Sequence, residues 1–183
     1  MNDYSINDNQ FKIIKHQSAI IGDFLYHYLA YKELSSILKT LNQKKTFWIY
    51  TSNAHLMQCF NHWCMVFGSY DTNQTHWKKL KFNIDKDTGG FLSILLKGLN
   101  MSENEWRVVW DDITGFRNSY TAHRDIVDDR GPVPYLDHAY KSVCIYYNWL
   151  VEKVYLATEV RMDCLEDFIE EHTESIRQTI QQI

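Results

Sequence analysis

The chain has 183 residues, enough for one domain with a hydrophobic core and short for two. Hydrophobic residues make up 45% and charged residues 23%, ordinary globular values that exclude wholesale disorder, while seven Gly and two Pro are too few for the turns of an all-β protein. The net charge of −4 does not announce a nucleic-acid binder, and the expected class is all-α.

Met1-Asn2-Asp3-Tyr4 is polar and lacks a basic segment followed by an apolar run, so no secretory signal is expected. From about residue 9 to 41, Ile14, Ile21, Phe24, Leu25, Tyr28, Tyr31, Leu34, Leu38 and Leu41 return to one helical face, and Asn42-Gln43-Lys44-Lys45 closes the helix. A second helix is predicted from about Thr46 to Phe67, stopped by Gly68-Ser69. Tyr70 to Asp87 reads as loop with a short helix around Trp77-Leu80, and a third helix covers Phe91 to Leu99.

Ser102-Glu103-Asn104-Glu105 is a capping-box pattern that opens a fourth helix, expected to run to about Arg124 and end before Asp128-Asp129-Arg130-Gly131-Pro132. Pro134 suits the first turn of a fifth helix carrying Leu136, Ala139, Val143, Tyr147, Leu150, Val154 and Ala157 on one face. Asp163 with Glu166 predicts a cap for a last, mostly polar helix over about residues 163–182. No stretch approaches the roughly 20 apolar residues a membrane span needs. The expectation is a single-domain helical bundle that is soluble, cytoplasmic and without a membrane partner.

Bases gather at Lys39, Lys44 and Lys45 and at Lys78, Lys79 and Lys81, while the tail after Met162 is acidic. A basic groove on an acidic protein and solvated helix faces are both compatible with that pattern, the latter suiting the tail. Cys59, Cys64, Cys144 and Cys164 show no paired spacing and read as reduced, mostly buried thiols. The six Trp, twelve Tyr and nine Phe suit a bulky core, with a base-stacking surface as the sharper reading.

On the fourth helix, Trp106, Val109, Ile113, Phe116 and Tyr120 fall within about 40° of one direction. Arg117 and His123 lie roughly 60° to either side of that stripe, at the boundary between core and solvent. An Arg there can snorkel and a His there can be a satisfied boundary residue. The two are about 120° apart on an ideal helix, so convergence needs an irregular helix, which Gly115 would help, or a second protomer. Asn118 points roughly opposite Tyr120.

Arg117-Asn118-x-x-x-Ala122-His123 resembles the signature of the HEPN superfamily, an Arg followed by a polar residue and, after a short interval, a His. Asn61-His62-Trp63-Cys64, Phe67-Gly68-Ser69, His76-Trp77-Lys78-Lys79-Leu80, Phe116 to Asp125 and Val133-Pro134 are similar to a bacterial abortive-infection branch of it, over about residues 45–155. The resemblance implies an antiparallel helical bundle, a two-fold homodimer with the signature segments facing each other, and metal-independent endoribonuclease chemistry without a cofactor. It gives Arg117 the phosphate, His123 the proton transfer and Asn118 the supporting polar position. RNA brings its own nucleophile in the 2′-hydroxyl, a His titrates near neutrality, and Arg offers a planar charged fork to phosphate.

Tyr120, Arg124, His62, His76 and Lys78 are the candidate substrate-binding residues beside that set. For His62 and His76 the competing reading is aromatic core packing with a helix-boundary hydrogen bond. In the branch paired with nucleotidyltransferase antitoxins a Tyr stands two residues after the His. Asp125 stands there here, so the resemblance does not carry that modification chemistry.

His55, Cys59 and His62 share one face of the second helix, but three ligands from one helix spread over about 10 Å, too far for one ion, and no metal is expected. Gly89-Gly90 lacks the Lys-Ser/Thr of a phosphate loop, and no Ser lies in a nucleophile elbow. The expected function is an RNase of bacterial defence or a toxin, with RNA, a second copy and an antitoxin or defence-system protein as partners. The alternative is a non-catalytic HEPN module binding RNA, nucleotide or protein through the same groove.

Overall fold

The computed structural model describes residues 6–40, 45–82, 90–122 and 132–182. Among them the chain is helical without a strand: α1 (Asp8–Ile37), α2 (Lys45–Phe67), α3 (Gly90–Leu99), α4 (Glu103–Phe116), α5 (Leu136–Thr158) and α6 (Leu165–Gln181). A 3-10 turn, Trp77–Lys79, follows α2, and a π-helical turn, Arg117–Ala122, continues α4. No described helix is long and apolar enough to cross a membrane.

α1 begins with a capping box that sequence reading passed over: Asn7 Oδ1 accepts the Gln10 backbone N–H and Gln10 returns the bond to Asn7. Its predicted stripe is inside, with Ile14, Ile21, Phe24, Leu25, Tyr28 and Leu34 all buried. The helix stops at Ile37 rather than near 41, because Thr40 folds back to Ile37 O through both its backbone and its hydroxyl. The predicted breaker Asn42-Gln43-Lys44 lies outside the described residues.

α1 and α2 pack most extensively and with opposite polarity, since Ser35 meets Ser52 and Phe24 meets Cys59. At the end of α2 a Cβ on Gly68 would stand 2.5 Å from Cys64 O, so only glycine lets the chain turn there. One hydrophobic cluster draws residues from all six helices. At its centre Trp63, Phe67, Phe91, Tyr146 and Trp149 touch ring to ring.

The core's polar atoms act as struts between distant segments. Gln17, fully buried, donates to Thr75 O at 3.0 Å and accepts from the Tyr146 hydroxyl at 2.8 Å. Trp63 Nε1 donates to Ser142 Oγ at 2.9 Å, and Trp110 Nε1 to Phe67 O at 2.6 Å. Each satisfies a donor that would otherwise be stranded away from water.

Three further helix boundaries differ from expectation. The Ser102–Glu105 capping box is present, but α4 leaves regular geometry at Arg117 instead of running as an α-helix to Arg124. Pro134 stands just before α5, because the extended Tyr135 occupies the cap position. Cys164, not Asp163, caps α6, and Asp163 instead uses its carbonyl to accept the Tyr147 hydroxyl. α6 is the mostly polar helix expected; its Leu165 and Ile176 are buried and Arg177 pairs with Glu33 of α1.

Candidate functional site

Residues Arg117–Ala122 of the segment that resembles the signature form the π-helical turn. π geometry inserts into a helix a wider hydrogen-bonded loop than the α pattern, and such turns occur frequently at functional sites. The turn is anchored through rings. Tyr120 stacks on Phe116 with centroids 4.7 Å apart and planes 13° from parallel, and Phe116 leans on Phe60 of α2 at 4.9 Å. Thr114 bonds back to Trp110 O at 2.7 Å one turn earlier, a contact that bends helices.

Arg117 is half-buried, and its Nη1 donates to the exposed Asn118 Oδ1 at 3.0 Å. Its guanidinium also lies against Cys64 of α2. Burial pushes that thiol up to about 11, with Arg117 pulling the other way. Asn118 therefore contacts Arg117 on the turn, which its position opposite Tyr120 on an ideal wheel did not suggest. His123 and Arg124 lie outside the described residues.

A cavity of about 720 Å³ opens beside the same turn. Phe116, Ser119 and Tyr120 line it together with Val133, Tyr135 and His138. Asp111 and Asp112 also line it, and no lysine does among the described residues.

His76 and Lys78 meet on the 3-10 turn. His76 is 3% exposed, its Nδ1 accepts the Lys78 backbone N–H at 3.0 Å, and its ring sits between Tyr70 and Trp77. Burial holds its pKa down near about 4, with Lys78 adding to the effect and a hydrogen bond to the Gly68 backbone opposing it. That is the packing-and-cap arrangement. Lys78 lays its ammonium 5.3 Å from the Trp77 ring and Lys79 lies 4.2 Å from that of Tyr70.

His62 belongs to a third group. Its Nε2 is 3.9 Å from Asp23 Oδ2, and its ring stacks on His27 at 5.4 Å. His27 in turn meets His55, Nδ1 to Nδ1, at 2.8 Å. Sequence reading missed His27, although Asp23 and His27 stand one turn apart on a helix facing His55 and His62. Cys59 is fully buried with its Sγ 4.0 Å from Phe24 O, and burial pushes its thiol up to about 12. Among the described residues no group of three or more His, Cys, Asp or Glu is disposed to hold a metal ion.

Comparison of the chain with protein-family models, with curated proteins and with solved structures yields no match.

Proposed function

We propose that the protein is a metal-independent endoribonuclease of the HEPN type, an antiparallel bundle working as a two-fold dimer in the bacterial cytoplasm, in defence or as a toxin. The observation that carries this reading is the departure of α4 from α-helical geometry at Arg117, the first residue of the signature. π turns inside α-helices occur frequently at functional sites. Here the turn gives a half-buried guanidinium a neighbour in Asn118, while Ser119 and Tyr120 of the same turn line an open cavity.

In this mechanism the RNA 2′-hydroxyl attacks the adjacent phosphorus, and the 5′-oxygen leaves. His123 moves the proton, Arg117 stabilises charge growing on the phosphorane, and Asn118 holds the guanidinium in place. The products are a 2′,3′-cyclic phosphate and a 5′-hydroxyl. Tyr120 offers an aromatic edge to a base, and Arg124 a second cation next to His123. An antitoxin or defence-system protein would act by covering this face.

A second reading has its own support. The two carboxylates lining the cavity repel a phosphate backbone, and the packing of Arg117 against Cys64 suits a structural guanidinium. Both features favour a non-catalytic HEPN module that binds a partner protein or nucleotide. Purified protein incubated with single-stranded and looped RNA separates the two. The ribonuclease cuts in EDTA and fails on RNA carrying a 2′-deoxyribose at the scissile position. Binding without cleavage under every condition establishes the module.

A further inference from the structure

His27 of α1 meets His55 and His62 of α2 midway along the most extensive helix-to-helix contact among the described residues. The 2.8 Å separation of the His27 and His55 Nδ1 atoms is a hydrogen bond in which one nitrogen carries the proton and the other offers its lone pair. Two neutral rings, or one neutral ring and one cation, can make that bond. Two imidazolium rings cannot, because two N–H groups then face each other with no acceptor between them. His62 stacks on His27 with centroids 5.4 Å apart and planes 11° from parallel, so like charges on the two rings would repel at short range. The His62 Nδ1 is buried without a hydrogen-bond partner.

The groups around the cluster do not relieve that conflict. From α1 comes Asp23, whose carboxylate is 3.9 Å from His62 Nε2 but whose side chain is 65% exposed, so water screens its pull. Tyr26 meets His27 edge-on at 6.0 Å. From α6 comes His172, 5.8 Å from the Tyr26 ring and bonded through Nδ1 to Phe168 O. Burial, then His55 and His62, lower the His27 pKa, with Asp23 opposing; burial lowers that of His55.

We propose that His27, His55 and His62 form a proton-operated latch on the α1–α2 seam, closed while the cluster carries no more than one positive charge and released when it takes a second. α2 is the helix whose next turns supply Phe60 and Cys64 to the π turn, so release loosens the support of Phe116 and Arg117. The latch stands apart from the ribonuclease reading, because its closed state and its release concern only helix packing.

The test uses the full chain. Amide hydrogen exchange, corrected for its intrinsic pH dependence, is compared between pH 7.5 and pH 5. The latch requires amides near residues 23–30 and 52–62 to lose at least about tenfold more protection than those of α5, the change that a pKa difference of about one unit between closed and open states produces. His55→Gln, whose amide keeps a partner for His27 Nδ1, should reduce that excess to less than about threefold. His76→Gln, which alters a different low-pKa imidazole, should leave it in place. A uniform loss over all helices overturns the proposal, as does an unchanged local loss in His55→Gln. If His55→Gln does not fold, nitrogen-15 shifts of the wild-type imidazoles decide. All three rings titrating independently near about 6.5 refutes the latch, and one ring charging before the other two supports it. Stoichiometric zinc binding at pH 7.5 that disappears in His55→Gln would replace the latch with a metal site.

Discussion

Asn118 holds Arg117: the guanidinium Nη1 of one donates to the amide Oδ1 of the other across 3.0 Å, between adjacent residues of a π-helical turn. Adjacent residues on a regular α-helix point about 100° apart, so the contact belongs to this turn and to the long reach of Arg. In the ribonuclease reading, Asn118→Ala leaves Arg117 in place but mobile and lowers kcat/KM about tenfold, with circular dichroism unchanged. An equal loss of helicity would assign Asn118 to folding instead.

His123→Ala should slow RNA cleavage by about 10²–10⁴-fold, the usual worth of a positioned acid–base group. Arg117→Lys should also lose most activity, because an ammonium cannot reproduce the two-pronged contact with phosphate. Single-turnover cleavage rates check both, and wild-type rates in either variant would remove that residue from the mechanism.

A dimer should appear in light scattering as about twice the 21.8 kDa chain mass at micromolar concentration. A mass that stays at one chain throughout would leave Arg117 and a proton-transfer group to meet within a single copy.

Acid should weaken the fold through His76. Its folded pKa near about 4 lies below the ordinary value of 6.5, so the unfolded chain binds the proton first as pH falls. Stability is therefore complete above about pH 6.5 and declines toward pH 4, by on the order of 3 kcal/mol for this group. Urea unfolding of the wild type and His76→Gln at pH 7, 5.5 and 4.5 reads the slope, which should flatten in the variant.

Tyr146→Phe removes the hydroxyl that satisfies Gln17 Oε1 while keeping the ring, and should cost about 1–3 kcal/mol, the penalty for stranding a buried acceptor. Chemical denaturation measures it. Gln17→Leu combined with Tyr146→Phe should recover part of that loss, unless the Thr75 carbonyl, left without its donor, offsets the gain.

The all-helical class and most helix spans were legible, because apolar residues such as Ile14, Ile21, Phe24 and Leu25 repeat at helical steps that burial then fills. The Ser102–Glu105 capping box was legible for a local reason: its partners are three residues apart. The π turn was not. Phe116 and Tyr120 keep a four-residue step through it, so the apolar pattern runs on while the hydrogen bonding changes underneath. Cys164 gave no signal either, since it caps α6 without a side-chain bond to the backbone. The histidine cluster needed the pairing of α1 with α2, which a single-helix wheel does not contain. For the candidate site, sequence reading placed Arg117, Asn118 and Tyr120 on one segment, and the structure supplied the Cys64 and Phe60 contacts that brace it.

The buried strut from Gln17 to Tyr146 spans 129 positions of chain. During synthesis α1 leaves the ribosome long before its hydroxyl partner exists. At about 5–20 residues per second the wait is roughly 6–26 s, far longer than the microseconds in which a helical hairpin forms. α1 and α2 therefore have ample time to zip together first, with the Gln17 amide still in water. Arrival of α5 then drives that water out, making closure of the core a late event in the birth of the molecule.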